Sequence, residues 1–188
     1  MENIFFDLNK LKHCGKNVII GKTVRIRNPE LVEIGDNVII DDFSYISGVV
    51  KIGNSCHIGS SCTIQAGTAS VIMGDYSGIS AGVRVFAVSS DYISPSFDLP
   101  TIPYSFRAGS IIDKIHIAKH VLIGSNSVVL PGVNLPEGVA FAAQSTISKR
   151  KYLSWRLYGD KCRKPIYTRN KETYLNKLND YCKSLIKN

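Results

Sequence analysis

Aliphatic residues fall on every sixth position for most of this chain. Ile34, Ile40, Ile46, Ile52, Ile58 and Ile64 keep the spacing without a slip. After a reset of a few residues Met73, Ile79 and Val85 resume it, and after a longer gap Ile117, Ile123, Val129, Leu135, Phe141 and Ile147 repeat it. Ile20 and Ile26 begin the series, with an offset near Pro29. The residue after each aliphatic is commonly Gly, another small residue or an acid, as at Gly21, Gly35, Asp41, Gly53, Gly59, Gly74, Ala118 and Gly124. Four places after the aliphatic stands a small or β-branched residue, as at Val38, Ser44, Val50, Cys56, Cys62, Thr68, Val83, Val121 and Ser127. A period of six is not a multiple of about 3.6, so this is not the stripe of a helix. It fits short strands joined by tight turns, one side of a prism per hexad. The aliphatic points inward and stacks on its equivalents in neighbouring coils. The small residue fills the narrow part of the interior, and glycine is expected where a turn needs a conformation other residues avoid. Three hexads close one triangular coil, which gives roughly five or six coils.

The hexads stop between Phe86 and Ile115, in a segment with Pro95, Pro100 and Pro103 among Tyr92, Phe97, Tyr104 and Phe106. So long a loop inside a regular solenoid points to function, and its aromatics and Arg107 suit an acceptor pocket at a neighbouring subunit. After Ile147 the repeat ends. Tyr174, Leu175, Leu178, Tyr181, Cys182, Leu185 and Ile186 recur at three- and four-residue steps and predict an amphipathic helix that covers the open end of the solenoid or a neighbour. The division is a β-helix body over 1–148 carrying the loop 86–115, and a tail over 149–188.

With 188 residues, 44% hydrophobic and 20% charged, the chain is ordinary globular material and not disordered. No apolar run approaches the ~18 residues of a membrane span. The N-terminal stretch MENIFFDLNK has no apolar core of a secretory signal. Cys14, Cys56, Cys62, Cys162 and Cys182 are odd in number and lack zinc spacing, so they read as reduced thiols of a cytoplasmic protein. The net charge of +8 gathers in the last third, including Lys149, Arg150, Lys151, Arg156, Lys161, Arg163, Lys164 and Arg169. That bias suggests one anionic site beside a near-neutral body, and it is compatible with an acceptor close to a membrane.

The repeat resembles the hexapeptide-repeat acyltransferases, most closely from Ile115 to Arg163, where the stretch ending ISKR and the later GDKCR match the family's closing elements apart from Lys161 in place of a usual proline. The resemblance implies an all-β fold, a left-handed parallel β-helix of hexapeptide repeats with a long loop insertion and a C-terminal α-helix. It is nearest to sugar O-acetyltransferases of polysaccharide biosynthesis, through Asp91-Tyr92 and Lys119-His120, and also extends to galactoside-type acetyltransferases. It implies a homotrimer with acetyl-CoA lying in grooves between subunits. The pantetheine arm is expected beside Gly124, Ser125, Ala142 and Ala143. Ser148, Lys149, Arg163 and Lys164 are expected at the cofactor's polar end, and Trp155 and Tyr158 near the adenine.

Acyl transfer to a hydroxyl needs a base, and histidine suits that task near neutral pH. The loop has no histidine. His120 is expected as base and Asp91 as the group that orients a histidine, with His116 the second candidate base and Tyr92, Arg107 and His116 toward the acceptor. His13 precedes the repeats and is expected at the surface; His57, directly before Ile58, is expected to face outward, with lining the site as its lesser alternative. The reading is a metal-free acetyl-CoA:sugar O-acetyltransferase without nucleic-acid partners. Its nearest rival is an N-acetyltransferase on a nucleotide-linked amino sugar, since an amine can attack without a strong base. A zinc enzyme of the γ-carbonic-anhydrase type would need His57, His116 and His120 to converge. A non-catalytic scaffold leaves the ISKR and GDKCR elements without a purpose.

Overall fold

The hexads close into a three-sided prism whose walls are stacks of short parallel strands, seen in a computed structural model. It describes residues 6–93, 99, 101–107, 109–159 and 164–186. The first wall stacks Ile19–Ile20, Ile39–Ile40, His57–Ile58, Gly78–Ile79, Leu122–Ile123, Ala140–Phe141 and Arg156–Tyr158. The second begins at Arg25–Ile26 and ends at Thr146–Ile147, and the third runs from His13–Cys14 to Asn134–Leu135. Tyr45–Ile52 and Thr63–Met73 bend around the corner between the second and third walls without breaking.

The sixth-position aliphatics align in register as three internal columns. Ile20, Ile40, Ile58, Ile79, Ile123, Phe141 and Tyr158 form one column. Each buried isoleucine contributes about 1.5–3 kcal/mol of hydrophobic stabilisation. Cys56 and Cys62 point into the narrow interior and are buried, as expected. Thr68 is exposed, and Val71 fills the interior before Met73. The C-terminal end is closed by Phe141, Tyr152 and Tyr158, whose ring centroids lie 5.2–5.6 Å apart. The solenoid therefore runs on to Tyr158, beyond residue 148, because an aromatic takes the aliphatic position in its last rung.

Gly48, Gly67, Gly82, Gly132 and Gly138 take the left-handed turn conformation expected of glycine, but the glycines directly after the aliphatics do not. The left-handed backbone positions of the turns are held mainly by Asn17, Asn37, Phe43, Ser55, Ser61, Tyr76, His120, Asn126, Gln144 and Trp155. Glycines after the aliphatics are needed because neighbouring coils touch there. A Cβ on Gly59 would lie 2.7 Å from Ala81 N, and one on Gly74 2.8 Å from Lys119 N.

Every irregularity of the repeat falls at one corner, between the second and third walls. Ile26 and Ile34 are separated by the 3-10 turn Pro29–Leu31, Ile64 and Met73 by an enlarged corner, and Val85 and Ile117 by the long insertion. The base of the insertion is an antiparallel pair, Val88–Ser89 with Ile111–Ile112. The helix α1, Lys171–Ile186, is capped by Asn170, whose Oδ1 accepts from Thr173 N at 2.9 Å. It lies along the corner between the third and first walls. Tyr174 touches His120 and Trp155, and Cys182 Sγ lies 3.9 Å from Tyr76 Oη. The open end that α1 was expected to cover is closed by the tail's own tyrosines.

Candidate active site

The corner that carries the insertion also carries a pocket of ≈ 390 Å³. Its walls are Arg27, Tyr45, Ser47, Gln65 and Gly67 from successive coils, and Val88, Ser89, Ser90, Arg107 and Ser110 from the insertion. Gly48 and Gly67, both with positive φ, let the backbone pass this corner closely. A Cβ on Gly48 would lie 2.7 Å from Gly67 O, and one on Gly67 would strike Val88. Arg107 donates Nε–H to Ile102 O, which anchors the guanidinium within the insertion. Two guanidinium groups among serine hydroxyls suit a phosphate-bearing ligand, because the planar fork binds phosphate oxygens in pairs. Asp91 follows Ser90 in the chain but is not part of the pocket wall, and its Oδ1 accepts from Ile93 N at 2.9 Å. Tyr92 is fully in solvent.

The expected pantetheine positions lie at the other end of the first wall, at its corner with the second. Gly124 follows the close-packing rule: a Cβ there would lie 2.7 Å from Ala142 C. Ser125 O accepts from Gln144 N and Ala142 N donates to Tyr158 O, so these groups already serve coil stacking. Ala143 is exposed on this edge. At the C-terminal end the expected cations are distributed unevenly. Lys149 is paired with Asp113 at 2.7 Å, which also holds the Asp113 carboxyl below its usual range. Arg150 donates to Ser148 Oγ at 3.2 Å. Lys164 is exposed, and Arg163 lies outside the described residues. Arg150 and Lys151 share a pocket of ≈ 360 Å³ on the third wall with His116, whose Nδ1 is 3.1 Å from Asn134 Oδ1. Trp155 and Tyr158 are 5% and 3% exposed, so neither offers a face to an adenine.

His120 is placed differently from the expectation. It sits at a left-handed turn position and is 6% exposed. Tyr76 stacks on its ring at 5.4 Å, Tyr174 meets it edge-on at 5.2 Å and Trp155 lies 5.8 Å away. Arg169 donates to the carbonyls of His120 and Gly138 and lies over the Trp155 and Tyr174 rings. The Nδ1 atom is buried without a hydrogen-bond partner. Burial, helped by the charges of Lys119 and Arg169, lowers the imidazole pKa against the pull of Glu137 and Asp75. Lys119 itself pairs with Asp75 at 2.7 Å. His120 is thus a stacking element beneath α1, whereas Lys119 points to solvent in its ion pair.

The first wall holds a feature that the sequence reading did not single out. His57 Nε2 is 2.8 Å from Asp41 Oδ2, and both side chains face solvent. The signal was legible in principle: an acid follows Ile40, and a histidine precedes Ile58 one rung above. His57, His116 and His120 stand on the first wall, the third wall and the corner under α1, so they do not converge on a zinc site within one chain.

Comparison with known proteins places this architecture. Residues 32–66 match the family described as bacterial transferase hexapeptide (six repeats), and residues 114–144 match the hexapeptide repeat of succinyl-transferase. The dTDP-4-amino-4,6-dideoxy-D-glucose acyltransferase of Escherichia coli is 33% identical over 144 residues, 73% of this chain and 72% of that protein. AntD, an N-acyltransferase from Bacillus cereus solved with dTDP and 3-hydroxybutyryl-CoA, superposes with a TM-score of 0.87 at 32% identity, covering 98% of this chain and 99% of that one. A serine variant of AntD was solved with dTDP-4-amino-4,6-dideoxyglucose and coenzyme A. A maltose O-acetyltransferase from Clostridium difficile 630 is similar in fold alone, with a TM-score of 0.57 at 13% identity over 87% of this chain and 72% of that one.

Proposed function

Because the chain belongs to the hexapeptide-repeat acyltransferase family, we propose that it transfers an acyl group from a coenzyme A thioester to the amino group of a nucleotide-linked amino sugar. The observation that carries this is the 33% identity to an amino-sugar nucleotide acyltransferase over 73% of the chain. It displaces the sugar hydroxyl expected as acceptor, which rested on Asp91-Tyr92 and Lys119-His120. His120, the base expected for transfer to a hydroxyl, is enclosed by three aromatic rings. A free amine is the stronger nucleophile and asks less of its base.

In this reading the corner pocket receives the acceptor, with Arg27 and Arg107 on its diphosphate. The coenzyme A phosphates meet the basic C-terminal end, and the pantetheine arm descends the edge formed by Ala143, Ala142, Ser125 and Gly124. Two copies complete one site. The outward residues of the first wall support such packing, because Ile19, Ile39, Leu122, Ala140 and Leu157 make it the most apolar of the three. The product keeps its nucleotide leaving group, so it remains a substrate for glycosyl transfer into a polysaccharide.

The pocket is tested by Arg27→Gln and Arg107→Gln. A hydrogen bond to a charged group is worth about 1.5–3 kcal/mol, so each change should raise KM for a nucleotide-linked acceptor roughly 10–100-fold. KM for the same amino sugar without its nucleotide should stay unchanged. Equal effects on both acceptors would remove the diphosphate from this pocket.

A further inference from the structure

We infer that His57, oriented by Asp41, is the base that takes the proton from the attacking amine; this deepens the N-acyl transfer reading and rests on it. Among the described residues His57 is the histidine whose ring nitrogen meets a carboxylate, at 2.8 Å. The other candidates are engaged otherwise: His116 bonds the Asn134 amide, and His120 is buried beneath α1. A carboxylate only accepts, so Asp41 fixes the neutral imidazole as the tautomer protonated on Nε2. Nδ1 is then left with a free lone pair, the form a base requires.

The wall beside this imidazole is open for a reason that coil packing does not supply. Gly78 stands one rung above His57. Unlike Gly59, Gly74 and Gly124, it has room for a side chain: a Cβ there would meet nothing closer than Leu122 Cδ2 at 3.6 Å. Its backbone is not among the positive-φ positions either. What the missing side chain creates is a pocket of ≈ 260 Å³ bounded by His57, Ser77, Ser80 and Leu122. This pocket lies on the wall whose edge carries Gly124 and Ala142. Three rungs separate the Ala140–Phe141 strand from His57–Ile58, about 14 Å at ~4.8 Å per rung. A pantetheine arm spans about as far as four extended residues, also ~14 Å. An arm that starts at the basic end and follows the edge past Ala142 delivers its thioester to His57.

The step balances. The amine nitrogen forms a C–N bond to the thioester carbonyl carbon, and the C–S bond breaks with its electron pair leaving on sulfur. The surplus N–H proton passes to His57 Nδ1 and from there to the thiolate. The products are the amide and the coenzyme A thiol.

The test is the pH profile of amide formation by the full chain. His57→Gln should lower kcat by about 10²–10⁴-fold at neutral pH, the usual contribution of a positioned base, with KM for acyl-CoA within about twofold of wild type. It should also erase one ionisation from the kcat/KM profile and leave that of the acceptor amine. Asp41→Asn should lower kcat, because an amide can donate as well as accept and no longer fixes the imidazole tautomer, and Gly78→Val should lower kcat by filling the pocket without unfolding the chain. An unchanged profile and kcat in His57→Gln, while wild type forms amide, would overturn the assignment and spare the N-acyl reading. No amide from wild type would overturn both.

Discussion

His120 has the backbone of a turn residue and the surroundings of a core residue. Its charged form would bury a second N–H donor without an acceptor, close to the Arg169 guanidinium. The folded-state pKa therefore lies below the ordinary histidine value of about 6.5. The native state then binds fewer protons than the unfolded one, so stability rises with pH across that interval. It is fully present above about pH 6.5 and declines as pH falls from there toward the folded pKa. The account predicts that wild-type stability drops on acidification through this window and that His120→Asn flattens the decline. Asparagine is a fair probe because Asn17 and Asn37 already hold the same left-handed position lower in the column. Trp155, the one tryptophan of the chain, lies 5.8 Å from the ring and reports the transition by fluorescence. A decline of equal slope in both proteins would assign it to other groups. The sequence misdirected at this residue because Lys119-His120 looks like chemistry from its neighbours alone. What buries the ring is Tyr76 and Trp155 from neighbouring coils and Tyr174 from α1, and the approach of Tyr174 depends on where the helix docks.

At the scale of the element, the repeat was legible and the glycines after its aliphatics were legible for the wrong reason. Side-chain period, inward aliphatics and small interior residues all follow from one geometric demand, so six-residue spacing carries them together. The contact between coils is not periodic information about one strand; it depends on which backbone lies above. Two substitutions separate these causes. Gly124→Ala should cost about 1–3 kcal/mol, the usual penalty of overpacking, because its Cβ would press on Ala142 and Ala143. Gly78→Ala should change stability by much less, since its Cβ meets only ordinary contacts. Urea denaturation of the two variants checks the difference, and equal losses would contradict the packing account. Where α1 docks was beyond the sequence. Its face Tyr174, Leu178, Cys182 is amphipathic, but only half-buried on the corner it covers. Truncation after Asn170 should leave the solenoid folded and shift Trp155 emission to the red as Tyr174 leaves it. An unshifted emission would mean that Trp155 is shielded without the helix.

For the whole molecule, charge divides more sharply than shape. Residues 149–188 hold 12 Lys and Arg against 3 acids, whereas residues 1–148 hold 11 against 12. If the basic end takes the coenzyme A phosphates, KM for acyl-CoA should rise steadily with ionic strength as screening shortens its reach, with kcat little changed. An acyl-CoA KM indifferent to salt would remove the cofactor from that end. The solenoid and the acyltransferase family were legible because the repeat is shared widely among acyltransferases. The corner pocket proposed for the acceptor was not, because its walls, Arg27, Gln65 and Arg107, come from separate coils and an insertion without a repeat. The acceptor proposed for this chain is the amine of a nucleotide-linked sugar. The most direct measurement incubates the full chain and acetyl-CoA with dTDP-4-amino-4,6-dideoxyglucose and, separately, with maltose and a galactoside, and follows both thiol release and product mass. The account predicts thiol release matched by an N-acetylated nucleotide sugar, with none from the hydroxyl acceptors. Thiol release with a hydroxyl acceptor and none with the amino-sugar nucleotide would contradict it.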